Sequence, residues 1–206
     1  MKVKALATGF FLIFSCFLHA QAQTQYGFKS IPFGLSYEET LRRIKKIKHR
    51  DGRDLSIYEG YNKRYFEVYS YWIGNQLCKI GFSFDHKKRF YQFTLYAKPS
   101  LDASYYDTQV KGQVTFFNKV FKKKYGQPIF CKEYPSLLDL EKGYVTTVCK
   151  WETNVLYAYT GISEDLEDEY EYHGSGTVGL RRLAEEYFDY QKKVGNKGVS
   201  KGVSDF

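Results

Sequence analysis

“SEDLEDEYEYHGSGTVG”, Ser163 to Gly179, is the stretch on which the reading of the last third of the chain turns. It packs six carboxylates (Glu164, Asp165, Glu167, Asp168, Glu169, Glu171) into eight residues of a chain whose formal net charge is +8, and then spells Gly174-x-Gly176-x-x-Gly179. A calcium loop needs Asp-x-Asp/Asn-x-Asp/Asn-Gly, and no Gly stands at its place. A dinucleotide fingerprint needs an apolar parallel strand before its glycines and a βαβ unit around them. Here carboxylates precede the glycines and would repel a pyrophosphate, and too little chain follows for a second parallel strand. Alternation of Glu167, Glu169, Glu171 and His173 with Tyr170 and Tyr172 predicts an acidic loop or an edge strand whose charges discourage pairing with a second molecule. The glycines then read as a flexible lead-in to a helix. Arg181 and Arg182 fall in the first turn of that helix, where free backbone N–H groups make a candidate anion site. No metal site and no cofactor is expected.

Beyond the glycines, Leu180, Leu183, Ala184, Tyr187 and Phe188 share one side of a helix near residues 178–193, and “GNKGVSKGVSDF” (195–206) reads as a disordered tail. Before the acidic run stand three strand-like segments, residues 128–134, 143–151 and 155–161. They follow the strongest helical signal of the chain, in which Tyr106, Val110, Val114, Phe117, Phe121 and Tyr125 lie three or four apart and Gly126 and Pro128 stop the run.

Residues 64–98 have period two instead: Phe66, Val68 and Trp72 alternate with Tyr65, Glu67, Tyr69 and Tyr71, and Cys78, Ile80, Phe82 and Phe84 define an inner face. Gly74-Asn75 supplies a two-residue hairpin and Asp85 to Lys88 a second turn, so three antiparallel strands follow one another. Ahead of them Ser36 and Glu39 form a capping box for a helix bearing Tyr37, Leu41, Ile44 and Ile47 on one face, which Gly52 can close. The cations of “RRIKKIKHR” (42–50) crowd its last turn, as the helix dipole favours. The expected class is therefore α+β: an antiparallel sheet of about six strands packed against two to three helices, in two similar helix-plus-three-strand halves.

“MKVKALATGFFLIFSCFLHAQAQ” (1–23) reads as a secretory signal peptide with a basic start, an apolar run over residues 5–18, and Ala20-Gln21-Ala22 before the cut. The apolar run of 14 residues is short of the roughly 20 that span a bilayer, so no transmembrane segment is expected. Acylation at Cys16 is the competing reading. Cleavage after Ala22 leaves a single domain, residues 23–194, ahead of the tail, in the periplasm or outside the cell. In that oxidising space Cys131 and Cys149, on two strand-like runs related by a turn, are expected to bridge, with Cys78 left as a buried thiol. An exported basic chain points to protein or acidic polysaccharide partners rather than nucleic acid.

“IPFGLSYEETLRRI” (31–44), with Gly34, Ser36 and Glu39, and “KYGQP” (124–128) resemble small exported bacterial α+β proteins of unknown role. They are distantly similar to the β-lactamase-inhibitor-protein-like and small-protein-A-like modules of the envelope. The resemblance implies a non-enzymatic protein-binding or assembly role and carries over no functional residue.

Catalytic signatures are sparse. The chain has no Gly-x-Ser-x-Gly elbow, no His-Glu-x-x-His and no paired cysteine spacing for zinc, and of His49, His86 and His173 the first reads as a solvent-facing helix end and the second as a turn residue. What stands out is tyrosine, 20 in all, with Tyr65, Tyr69 and Tyr71 on the strand face opposite the presumed core as a candidate ligand-binding row. The expected function is non-catalytic binding or assembly in the bacterial envelope. The alternative is a hydrolase or carbohydrate-binding protein acting on an envelope or dietary polymer, for which a pair of carboxylates in a pocket would be the sign.

Overall fold

Ser36 opens the first helix as its sequence predicts, its side chain accepting the N–H of Glu39 at 3.2 Å. The computed structural model describes residues 26–99, 103–164 and 171–203. Helix α1 (Tyr37–Ile44) buries Tyr37, Thr40, Leu41 and Ile44, and turns Glu39 toward Arg42 and Arg43 on its outer side. It ends at Ile44 rather than near Gly52, whose positive φ serves a separate turn at residues 49–53. Two short strands, β1 (Gly27–Phe28) and β2 (Ile31–Pro32), form a hairpin before it.

After α1 come β3 (Ser56–Glu59), β4 (Tyr65–Ile73), β5 (Gln76–Phe84) and β6 (Phe90–Ala97). The β4–β5 hairpin turns at Gly74-Asn75, as expected. The β5–β6 turn is held by the fully buried Asp85, which accepts from the N–H groups of Lys87 and Arg89 and from the Arg89 guanidinium. Helix α2 (Lys111–Tyr125) follows a π-helical turn, Tyr106–Val110, and buries Val114, Phe117 and Phe121 at the predicted spacing. Then come β7 (Phe130–Cys131), β8 (Val145–Glu152), β9 (Leu156–Glu164), β10 (Tyr172–Leu180) and helix α3 (Arg181–Val203). Cys131 and Cys149 are cross-strand partners joined in a disulfide, Cα atoms 4.1 Å apart, and Cys78 is a buried free thiol.

The class is α+β, as read. Apart from the β1–β2 pair, the strands form one eight-stranded antiparallel sheet in the order β3-β4-β5-β6-β10-β9-β8-β7. The two halves are therefore helix plus four strands each, running outward from the central β6–β10 pair. The two strands missing from the sequence reading are β3 and β10.

β10 is the larger correction. Residues 174–179 are not a lead-in to a helix but the middle of a central, wholly buried strand, and α3 starts only at Arg181. Strand formation is disfavoured locally by three glycines; here their neighbours supply the missing bulk. A Cβ on Gly174 would stand 2.8 Å from the Cβ of Gln113, and one on Gly176 2.9 Å from the ring of Phe121, so the glycines let α2 lie close against the sheet. Of the acidic run, residues 165–170 lie outside the described ones. Glu164, which ends β9, and Glu171, which immediately precedes β10, flank them, and both strands are inner ones of the sheet.

Register across the sheet separates its faces. Phe66, Phe82, Phe93, Val178, Ala158 and Trp151 form one transverse row, all buried, on the face that carries both α1 and α2. Tyr37 of α1 meets Phe66 and Phe84, and Phe121 of α2 meets Trp151. The β1–β2 hairpin inserts Phe28 against Phe82, Phe93 and Tyr71. Helix α3 docks at one end of the opposite face, through Tyr187 on Tyr91 and through Arg89, which bridges Asp85 and Glu186. It continues to Val203, across most of the segment read as a tail.

Candidate functional site

The face away from α1 and α2 is built by the rows adjacent to the core row. One runs Glu67, Gly81, Thr94, Thr177, Tyr159, Lys150 and the next Tyr65, Ser83, Gln92, Gly179, Tyr157, Glu152. Tyrosines lie across glycines of neighbouring strands: a Cβ on Gly81 would meet the Tyr65 ring at 2.9 Å, and one on Gly179 the Tyr157 ring at 2.3 Å. The result is a broad, half-exposed surface of rings, three of whose hydroxyls are held in place by partners on the same face. Tyr65 and Tyr69 both donate to Glu67, the latter at 2.5 Å, and Lys79 pairs with the same carboxylate at 3.1 Å. Tyr157 donates to Gln92 at 2.6 Å, and the Lys79 ammonium stands 5.1 Å over the Tyr96 ring.

Burial would by itself push the Glu67 carboxyl up, but the hydrogen bonds from Tyr65, Tyr69 and Lys79 outweigh it and hold it below the ordinary carboxylate value. The Tyr69 hydroxyl is pushed up to about 12, chiefly by its bond to Glu67. Tyr65 moves in the same direction, chiefly through burial.

Of the three tyrosines singled out in the sequence, Tyr65 and Tyr69 share this face and Tyr71 does not. A bulge between Val68 and Tyr71, with Ser70 at φ 54°, adds one residue to β4 and swaps the faces beyond it. Tyr71 is consequently buried at 7% exposure while Trp72, expected inside, is 45% exposed. Tyr96, Tyr157 and Tyr159 belong to the tyrosine face and were missed, because the partners that align them lie on distant strands.

Tyr71 instead walls a cavity of about 460 Å³ on the helical face, at the seam between the halves. Its floor is Phe93 and Leu95 of β6, its sides are Phe28, Tyr71, Val120 and Phe121, and its rim is basic: Lys29, Lys48, His49, Arg50 and Lys124. No carboxylate is among the described lining residues. Lys48 pairs with Asp54, and Arg50 donates to the carbonyl of Gly74, which holds the loop after α1 against the β4–β5 hairpin. Lys29 and Lys124 have no carboxylate partner among the described residues and rest over the rings of Tyr71 and Tyr125. Although Lys124 is exposed as a residue, desolvation holds its ammonium below the usual lysine range. The rim draws on cations of the run 42–50, which read in sequence as a solvated helix end.

Arg181 and Arg182 are engaged within the fold. Arg181 pairs with Glu152, and Arg182 lies 3.9 Å from Glu186. Ser163 and His173 face each other across β9 and β10, Oγ to Nε2 at 2.8 Å, in a pair only 5% and 8% exposed. That burial makes them a structural polar contact. Cys78 is likewise inert as a nucleophile, its thiol pushed up to about 12 by burial. Among the described residues no group of three or more His, Cys, Asp and Glu is placed to hold a metal ion, and no helix is long and apolar enough to cross a membrane.

No protein-family model, curated protein or solved structure matches the chain. The resemblance carried by residues 31–44 and 124–128 rests on those residues alone.

Proposed function

We propose that this is an exported, non-catalytic binding protein of the bacterial envelope that engages a protein partner through the tyrosine face of its sheet. The observation that carries the reading is the fixed array of Tyr65, Tyr69, Tyr96, Tyr157 and Tyr159 on a face that neither α1 nor α2 covers. Rings packed on glycines, as at Tyr65 and Tyr157, and hydroxyls tethered, as at Tyr65, Tyr69 and Tyr157, lose little side-chain freedom on binding, and each ring offers both apolar area and a polar tip. The leader-like residues 1–22 and the disulfide support export. Hydrolysis by a carboxylate pair is disfavoured on this face, because Glu67 is held ionised by three partners and Glu152 is engaged by Lys150 and Arg181.

The test presents the purified protein to envelope proteins and to a glycan array, with a Tyr69→Ala, Tyr159→Ala variant beside it. The reading requires a protein partner that the variant releases. Retention by the variant, binding confined to glycans, or turnover of a polymer would overturn it.

A further inference from the structure

We infer that the seam cavity is a binding site for a single-chain anionic amphiphile, an apolar body carrying one carboxylate, phosphate or sulfate head. This goes beyond the tyrosine face, which lies on the other side of the sheet. At about 460 Å³ the cavity is within the roughly 300–1,000 Å³ of small-molecule sites and holds one such molecule, not a folded partner. The apolar lining is pre-formed: Phe93 and Leu95 of the floor and Phe121 of the side are 4%, 3% and 2% exposed, fixed by the sheet and by α2. Apolar sides alone would accept any hydrophobe; the charge decides the class. Every charged residue described on the rim is basic, and two of the lysines, Lys29 in the β1–β2 turn and Lys124 in the last turn of α2, have only aromatic rings as partners among the described residues. An anionic head at this rim gains opposite charge without breaking an ion pair, while the tail covers Phe93 and Leu95. A cationic head of the same tail meets like charge there.

Folding makes this gap between the two halves. α1 covers β4 and β5, α2 covers β8 to β10, and the β1–β2 hairpin fills only part of the space above β6. Tyr71 reaches the cavity only because the β4 bulge turns it inward, and the neighbouring Trp72 is among the lining residues, which gives a spectroscopic reporter.

Titrate the purified protein with monomeric dodecanoate, following tryptophan emission and heat, beside dodecyltrimethylammonium, acetate and inorganic phosphate. Dodecanoate is expected to bind one to one and saturably, with the ammonium amphiphile about tenfold or more weaker and the two small anions silent. Lys29→Gln with Lys124→Gln should weaken dodecanoate by about tenfold while leaving the circular dichroism and melting curve unchanged. Val120→Trp, which fills the cavity from a half-buried helix position, should abolish binding; if that variant does not fold, Lys29→Gln with Lys124→Gln decides alone. Equal binding of both amphiphiles, no effect of the lysine changes, or binding only to anionic phosphatidylglycerol vesicles and not to monomeric dodecanoate would each overturn the assignment.

Discussion

β4 and β10 are both nine-residue strands of one sheet, and they make their two faces in opposite ways. β4 brings large side chains of its own, Phe66 and Val68 for the core and Tyr65, Glu67 and Tyr69 for the open face. β10 carries Gly174, Gly176 and Gly179, and borrows both faces from its neighbours: Gln113, Val114, Phe117 and Phe121 of α2 on one side and Tyr157 of β9 on the other. A strand that carries its own bulk announces itself by period two, whereas one that borrows bulk shows only its glycines. The difference also orders their sensitivity: β4 is sensitive to groups removed, whereas β10 is sensitive to groups added.

Adding volume to β10 should have the largest effect. Gly174→Val places a branched side chain where a single Cβ already stands 2.8 Å from Gln113 and 3.0 Å from the backbone nitrogen of Val114, so α2 must lift from the sheet. The expected loss is about 3 kcal/mol or more, read by urea denaturation. A loss under about 1 kcal/mol would mean that α2 is not seated on β10.

The two edges of the sheet offer the next contrast. β3 at one edge is held by strand pairing with β4, and β7 at the other also by the disulfide to β8. Replacing Cys131 and Cys149 by Ser opens a loop of 18 residues and should cost about 3 kcal/mol. Thiol counting on the denatured, unreduced protein should find Cys78 alone among residues 26–206; three reactive thiols would contradict the bridge.

Glu67 tests whether β4 is stabilised by its polar side as well. Its folded pKa lies below the ordinary 4.5, so the native state binds fewer protons than the unfolded chain. The network therefore contributes fully above about 4.5, and its contribution is lost as the pH falls through the folded value. Glu67→Gln should cost about 2 kcal/mol at pH 7 and flatten the acid limb of the stability profile. An unchanged acid limb would show that other carboxylates govern it.

The same contrast explains what the sequence disclosed. α2 was legible because six apolar positions keep helical spacing through Tyr125, and the β4–β5 hairpin because Gly74-Asn75 sits between alternating runs. The Cys131–Cys149 pair followed from the symmetry of the runs about their turn. The phase of Tyr71 and Trp72 was not legible, since a bulge adds one residue without a glycine or proline to mark it, Ser70 itself taking the positive φ. Nor was the cavity: its lining comes from β1, the loop after α1, β4, β6 and α2, and no local pattern links Lys29 to Lys124. Two of the five rings of the tyrosine face were visible in β4; Tyr157 and Tyr159 acquired meaning only once β9 was paired with an unrecognised β10.

The smallest expected effect is the one that isolates borrowed bulk from backbone strain. Gly179 does not adopt a positive φ, so the nearest atoms an alanine there meets are those of the Tyr157 ring, 2.3 Å from its new methyl. The ring must swing away and give up its 2.6 Å hydrogen bond to Gln92, and Gly179→Ala should lose about 1 kcal/mol in the natural background. In a Tyr157→Leu background the clashing ring atoms are absent, and the alanine, by restricting the unfolded chain, should instead stabilise by about 0.5 kcal/mol. The two effects differ in sign, so the coupling of about 1.5 kcal/mol is measurable by a double-mutant cycle. Additive losses in the two backgrounds would place the requirement for glycine in the β10 backbone itself, and the idea that this strand takes its open face from β9 would fail.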